Sequence, residues 1–191
     1  MEIYFIRHGQ SAANADNQLA GWFDVPLTEK GIEDAKGAGK KIRDIQFEKV
    51  YASDLKRASQ TCEIALDGAE YEKTTLLREL SVGEFEGMYY DERTPQDVHE
   101  RFEACVKVRD FSATGGESHQ MQMDRIWEFM SMAAEKHTGK VAAFTHAGTL
   151  ECVLNLVLGF KVEPDALCIP NCVICVLLWT GERWKLKNWN L

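Results

Sequence analysis

Arg7 and His8 stand where the short apolar run EIYFI stops, with Gly9, Ser11 and Asn14 close behind. The same arrangement recurs along the chain: YASDLKRASQT carries Arg57 just past an apolar run, LLREL carries Glu79, and KVAAFTHAG carries His146. Singly, each has an ordinary explanation, a surface salt bridge for an arginine or a hydrogen-bonded structural imidazole for a histidine. Two arginines, two histidines and a carboxyl group at four successive run ends are harder to explain as solvated loops. Guanidinium groups match phosphate oxygens in paired geometry. A neutral imidazole is a nucleophile near pH 7, and a carboxyl group can give a proton to a departing alkoxide. The set suits phosphoryl transfer. Arg7, Arg57 and His146 would stabilise charge on the phosphoryl oxygens, His8 would attack, and Glu79 would serve as acid and then base. With positive charge supplied by side chains no metal is needed, and neither a metal nor a cofactor is expected.

For these residues to meet, the runs must be strands of one sheet. Ile3–Ile6 is too short for a helix, whereas Thr28 to Ile45 turns periodic, with Ile32, Ala35, Gly39 and Ile42 at helical spacing and Thr28 as N-cap. Lys49–Ala52 predicts a second strand, Ser53 or Asp54 a cap for the helix bearing Leu55, Ala58, Cys62 and Ala65, and Tyr71–Leu76 a third strand. Met88–Gly116 is a polar excursion with a helix near Gln96–Val108, and residues 88–117 are expected to lie over the site as a short lid. Ser118 caps a long helix with Ile126, Phe129, Met130 and Ala133 on one face, followed by a strand at Lys140–Thr145 and a helix at Gly148–Leu158. Leu167–Ile169 and Cys172–Trp179 look like strands, with Trp184–Trp189 as an edge. Strands alternating with helices imply an α/β fold: a three-layer α/β/α domain over residues 1–191, with a mostly parallel sheet of about six strands. Ligands of such folds bind beyond the carboxyl edge of the strands, where the four run ends fall. Helix N-termini near Asp54 and Gly148 would add N–H groups there.

Twenty-two Lys and Arg against 30 Asp and Glu give a net charge of −8, which argues against nucleic acid or an anionic membrane as partner and requires a local cationic cluster for any anion. With no signal-like segment and no run of membrane-spanning length, a cytoplasmic, soluble protein is expected. The six cysteines lie mostly in apolar runs, as reduced buried thiols do. Cys168, Cys172 and Cys175 have a spacing that can hold an iron–sulfur cluster, but strand packing explains them better. AKGAGKK fails the phosphate-loop pattern at both ends, and His99, His119 and His137 show no paired ligand spacing.

FIRHGQSAAN with LAGWFDVPLTEKG, then YASDLKRASQT, LLRELSVGEFEG, TGGES and FTHAGTL, in that order, resemble the histidine phosphatase superfamily from end to end. The similar branch contains the cofactor-dependent phosphoglycerate mutases and many small phosphatases. The resemblance implies that His8 is phosphorylated, that Arg7, Arg57 and His146 line the phosphate pocket, and that Glu79 is the acid/base. Asn14 matches a position that helps hold the phosphate, and Ala147 is placed beside His146 as a further substrate contact. Glu84 and Glu86 are read as a polar turn. Mutases of this branch follow the acid with an arginine and a tyrosine that grip the substrate carboxylate, and carry a longer insertion with an arginine pair. Here Leu80, Ser81, Val82 and Gly83 follow Glu79, and the insertion's nearest candidate is Arg93. The expectation is therefore a metal-independent phosphomonoesterase acting on a small phosphorylated metabolite. Phosphoglycerate mutase activity is the first alternative and a non-catalytic phosphate or phosphoprotein sensor the second, although a binder has no use for an acid. Glu151 stands where relatives often have a basic residue, which disfavours a second negative group there. Tyr89, Tyr90, Arg93, His99, Arg101, Lys107 and Arg109 are specificity candidates, and substrate and oligomeric state stay open.

Overall fold

Ile3, Tyr4, Phe5 and Ile6 are all buried, so the first strand is covered on both faces, as a continuous apolar run in a parallel sheet should be. The computed structural model describes residues 1–159 and 167–191. Its elements run β1 (Glu2–Arg7), α1 (Ala12–Ala15), α2 (Glu29–Ile42), β2 (Lys49–Ser53), α3 (Lys56–Ala65), β3 (Glu72–Thr74), α4 (Gln96–Val108), α5 (His119–Lys136), β4 (Lys140–Thr145), α6 (Ala147–Leu158), β5 (Ile174–Trp179) and β6 (Trp184–Trp189). Single 3-10 turns lie at Thr75–Leu77, Gly83–Phe85 and Ser112–Thr114.

The strands form one six-stranded sheet in the order β3-β2-β4-β1-β5-β6. From β3 to β1 every pairing is parallel, and β5 alone runs against its neighbours. Alternation along β1 divides the core. Ile3 and Phe5 pack with Ile126, Phe129 and Met130 of α5 and Leu150 and Val153 of α6. Tyr4 and Ile6 point the other way, into a cluster with Ile42 of α2 and Cys62 of α3. Each large side chain so buried contributes roughly 1.5–3 kcal/mol. The three layers and the mostly parallel sheet follow from this two-sided burial.

Thr28 caps α2 by accepting from Gly31 N–H at 3.0 Å, and Ser118 caps α5 through Met121 N–H at 3.2 Å. Other local expectations need correction. The helix predicted to Ile45 ends at Ile42. The third strand is only Glu72–Thr74 before the chain tightens into a 3-10 turn. Neither Ser53 nor Asp54 caps α3. Its N-cap is Leu55, and the carboxylate of Asp24 reaches in to accept from Lys56 N–H at 2.7 Å. Asp54 instead takes the guanidinium of Arg78 on both oxygens, at 2.8 and 2.6 Å. Leu167–Ile169 is not a strand: the Ile169 carbonyl accepts from Arg7, and Pro170, without an N–H, follows it. Cys175 lies inside β5 with its thiol pushed up to about 12 by burial, while Cys168 is exposed. No group of three metal-ligating side chains occurs among the described residues. Nor is any described helix long and apolar enough to cross a membrane.

Candidate active site

The ends of β1 and β4 are stitched together, His8 N–H donating to the Thr145 carbonyl at 2.9 Å. This sets the His8 ring beside that of His146, centroids 5.2 Å apart. His8 Nδ1 lies 2.7 Å from the Gly9 carbonyl, which can only accept. Nδ1 therefore carries the hydrogen, and Nε2 is assigned the lone pair. Burial, with the Arg57 and Arg7 guanidinium groups nearby, holds the His8 imidazole well below its ordinary range, so the ring stays neutral. The turn that carries it is tight: a Cβ on Gly9 would fall 2.3 Å from the Gly31 carbonyl oxygen.

Arg7 donates from Nη1 to the Ile169 carbonyl, and its buried Nε has no partner among the described residues. Arg57, on the first turn of α3, is 1% exposed, with Nη2 on the Gly21 carbonyl at 2.7 Å and Nη1 on that of Phe23 at 3.1 Å. Burial works against the charge of both guanidinium groups, and Glu79 works for it. His146 is the N-cap of α6; its Nε2 lies 2.9 Å from Ser53 Oγ, and its buried Nδ1 has no partner among the described residues. Desolvation, followed by the field of Arg57, pushes its pKa down as well.

Glu79 follows the turn after β3. One carboxylate oxygen accepts from Leu80 N–H at 2.9 Å and Gln122 Nε2 at 3.4 Å, the other from Gly148 N–H at 3.1 Å, at the start of α6. Gly148 makes room for this, since a Cβ there would lie 2.2 Å from a Glu79 oxygen. Asn14 uses its Oδ1 to accept from Ser11 N–H at 3.1 Å, closing a capping box on α1. Arg7, His8, Asn14, Arg57, Glu79 and Gly148 share the wall of one cavity of about 320 Å³. His146, whose ring lies against that of His8, is not among the residues lining that cavity, and neither is Ala147, expected as a contact.

The family model of the histidine phosphatase superfamily (branch 1) matches residues 3–191. The chain belongs to that superfamily. As a histidine phosphatase it is a phosphatase-type enzyme. It is similar, at 28% identity over 99% of its length and 90% of the relative's, to the probable phosphoglycerate mutase GpmB of Salmonella choleraesuis. The structure of a phosphoglycerate mutase from Thermus thermophilus superposes with a TM-score of 0.75 and 27% identity, covering 100% of this chain and 99% of that one. A mycobacterial glucosyl-3-phosphoglycerate phosphatase shares the fold, with a TM-score of 0.83, 24% identity and coverage of 99% and 98%.

Of the seven specificity candidates in this histidine phosphatase, only Arg109 lines the cavity. Arg93 is engaged outside, over the Tyr89 ring and paired with Asp16 and Asp91. His99 bonds the Asp91 carbonyl, and Arg101 pairs with Glu84. Glu86 is more than part of a polar turn: one of its oxygens accepts from Trp22 N–H and from Ser81 Oγ, both at 2.9 Å, and so ties two loops together. Sequence reasoning missed Arg125, Glu117, Gln122 and Trp22, which surround Glu79 from distant parts of the chain. Glu117 lies within the TGGES motif and Trp22 within LAGWFDVPLTEKG, whereas nothing in the sequence marks Gln122 or Arg125.

Proposed function

We propose that this enzyme hydrolyses a small phosphomonoester through a phosphohistidine on His8, without a metal ion. One observation carries the reading. Arg7 Nε and His146 Nδ1 are the two buried side-chain polar atoms without a hydrogen-bond partner among the described residues; Arg7 precedes His8 in the chain, and the His146 ring lies against that of His8. Buried polar groups are otherwise nearly always paired. With His146 Nε2 accepting the Ser53 hydroxyl, Nδ1 is a second donor, and a phosphoryl oxygen is the partner that both lack.

His8 Nε2 attacks phosphorus and the P–O bond to the leaving group breaks. Arg7, Arg57 and His146 hold the equatorial oxygens, and Asn14 adds an amide donor. Glu79, in its acid form, gives its proton to the departing alkoxide. Water then attacks the phosphohistidine, Glu79 takes its proton, and the P–N bond breaks to return His8 and release phosphate. Ala147 serves through its place in the first turn of α6, whose N-terminus faces Glu79. Residues 1–191 would act as one domain, with the stretch around α4 covering the site.

The names of the curated relatives favour a second reading, phosphoglycerate mutase activity. Against it, the positions after Glu79 that would grip a carboxylate offer Leu80 and Val82 to the cavity. The test is phosphate release from a panel of phosphomonoesters in EDTA, for wild type beside His8→Ala and Glu79→Gln, with a coupled mutase assay run with and without bisphosphoglycerate. Metal-free release that His8→Ala abolishes is expected. Isomerisation without release would support the mutase, and release undiminished in His8→Ala would overturn the mechanism.

A further inference from the structure

Val82, Phe85, Phe102 and Phe111 form a hydrophobic cluster of their own, apart from the two that sandwich the sheet. The rings are in contact, Phe85 on Phe102 and Phe102 on Phe111, each with centroids 5.5 Å apart. Leu19, Leu80 and Val106 pack against this cluster while remaining only half-buried. One flank of the cluster is open, and it opens inward: Leu19, Leu80, Val82, Phe102, Val106 and Phe111 all line the cavity that holds His8 and Arg57. An apolar surface left uncovered inside a cavity, continuous with an anion site, is suited to an apolar ligand group.

The polar side chains set among these residues are already engaged. Gln18 Nε2 donates to the Gly87 carbonyl at 3.1 Å, Gln122 Nε2 to Glu79, Arg109 is paired with Glu151, and the His119 ring is held between Arg109 and Asn155. A carboxylate or second phosphoryl group placed here would lose its hydration against apolar side chains and compete with Glu151 for Arg109. A sugar would leave hydroxyls without partners. A hydrocarbon group loses nothing and covers the open flank.

We infer that the alcohol portion of the substrate is uncharged and apolar, an alkyl or arylalkyl group seated on the wall from Leu80 to Phe111. The inference rests on the phosphomonoesterase reading above and names the substrate class for that same site. Its sharpest test is a series of primary alkyl phosphates, ethyl, butyl and hexyl, whose leaving alcohols are chemically alike, measured beside benzyl phosphate, glycerol 3-phosphate, 3-phosphoglycerate and phosphoserine. kcat/KM is expected to rise about two- to fourfold per buried methylene, and the hexyl ester should exceed glycerol 3-phosphate by more than tenfold. Val106→Asn and Leu80→Ser, at half-buried positions, should flatten the alkyl series. Phosphate release that is level along the series, greatest for the glycerate or serine esters, or equally steep in both variants, overturns the inference while the phosphatase reading stands. Release from none of the esters overturns both.

Discussion

Arg125 meets Glu117 in a two-pronged ion pair, Nε to Oε1 and Nη2 to Oε2, each at 2.9 Å. The same guanidinium holds the carbonyls of Leu76, Arg78 and Glu79 at 2.9, 2.7 and 2.9 Å, and the Trp22 indole N–H donates to the Glu79 carbonyl at 2.7 Å. The backbone of the proposed acid is therefore fixed from α5 and from the loop before α2 at once. Both members of the pair are nearly buried, with side-chain exposures of 13% and 10%. Breaking such a pair leaves an uncompensated charge at a cost of about 3 kcal/mol. Glu117→Ala should lose that much in urea unfolding. Arg125→Lys, which keeps the charge but not the fork, should lower kcat about tenfold with a smaller change in KM, because Arg7 and Arg57 still bind phosphate. An unchanged kcat would mean that the pair serves stability alone.

Acid should destabilise the fold from an unusually high pH. His8 and His146 are held neutral in the folded state, well below the ordinary range, by burial and the neighbouring guanidinium groups. Unfolded, each takes up a proton as pH falls through about 6.5. Between that value and the depressed native one the unfolded chain binds more protons, so stability is at its plateau above pH 6.5 and falls below it, by about 1.4 kcal/mol per pH unit for each histidine. Thermal unfolding across pH 5–7.5 should show this slope, reduced in His146→Gln. A level profile would mean that the two rings protonate in place.

Backbone proximity behind His8 gives a third expectation. A methyl group on Gly9 meets the Gly31 carbonyl at 2.3 Å, and one on Gly31 meets the Gln10 carbonyl at 2.0 Å, with no flexible side chain to give way. Gly9→Ala should cost about 2–4 kcal/mol and displace the His8 turn, abolishing phosphate release. Gly37, inside α2 with open space at its Cβ position, is the control. Gly37→Ala should stabilise by about 0.5–1 kcal/mol without touching activity. Equal tolerance at both positions would contradict the packing.

Local signals made β1, α2, α4, α5 and β4 legible, since apolar runs, helical spacing and the Thr28 and Ser118 caps of α2 and α5 are written within a few residues. The strand ends placed Arg7, His8, Arg57, Glu79 and His146 on one edge for the same reason. What stayed hidden depends on partners far along the chain. Asp24 caps α3 from 32 residues away, Arg125 reaches Glu79 from 46, and Ile169 gives its carbonyl to Arg7 instead of extending a strand. The excursion looked rich in binding arginines because charge shows in a sequence and pairing does not. Arg93 and Arg101 are held by carboxylates outside, and the apolar flank of the Phe102 cluster is what reaches the cavity.

Arg109 and Glu151 decide how the cavity treats a second anion. Both line it, and their ion pair is largely shielded, with side-chain exposures of 13% and 15%. While the carboxylate is present, an anionic substituent must displace it to reach the guanidinium, and it is repelled on approach. Glu151→Gln removes the repelling charge and keeps the shape, so a substrate carboxylate can compete for the Arg109 guanidinium, which also lies against His119, through charge-assisted hydrogen bonds worth about 1.5–3 kcal/mol. The ratio of kcat/KM for 3-phosphoglycerate to that for hexyl phosphate should therefore rise about tenfold, most of it through KM. Arg109→Leu in the same background should remove the gain, because the new affinity belongs to the guanidinium. A ratio that does not move in Glu151→Gln would mean that the anion never comes within reach of Arg109, and that Leu80 and Phe111 alone set the preference.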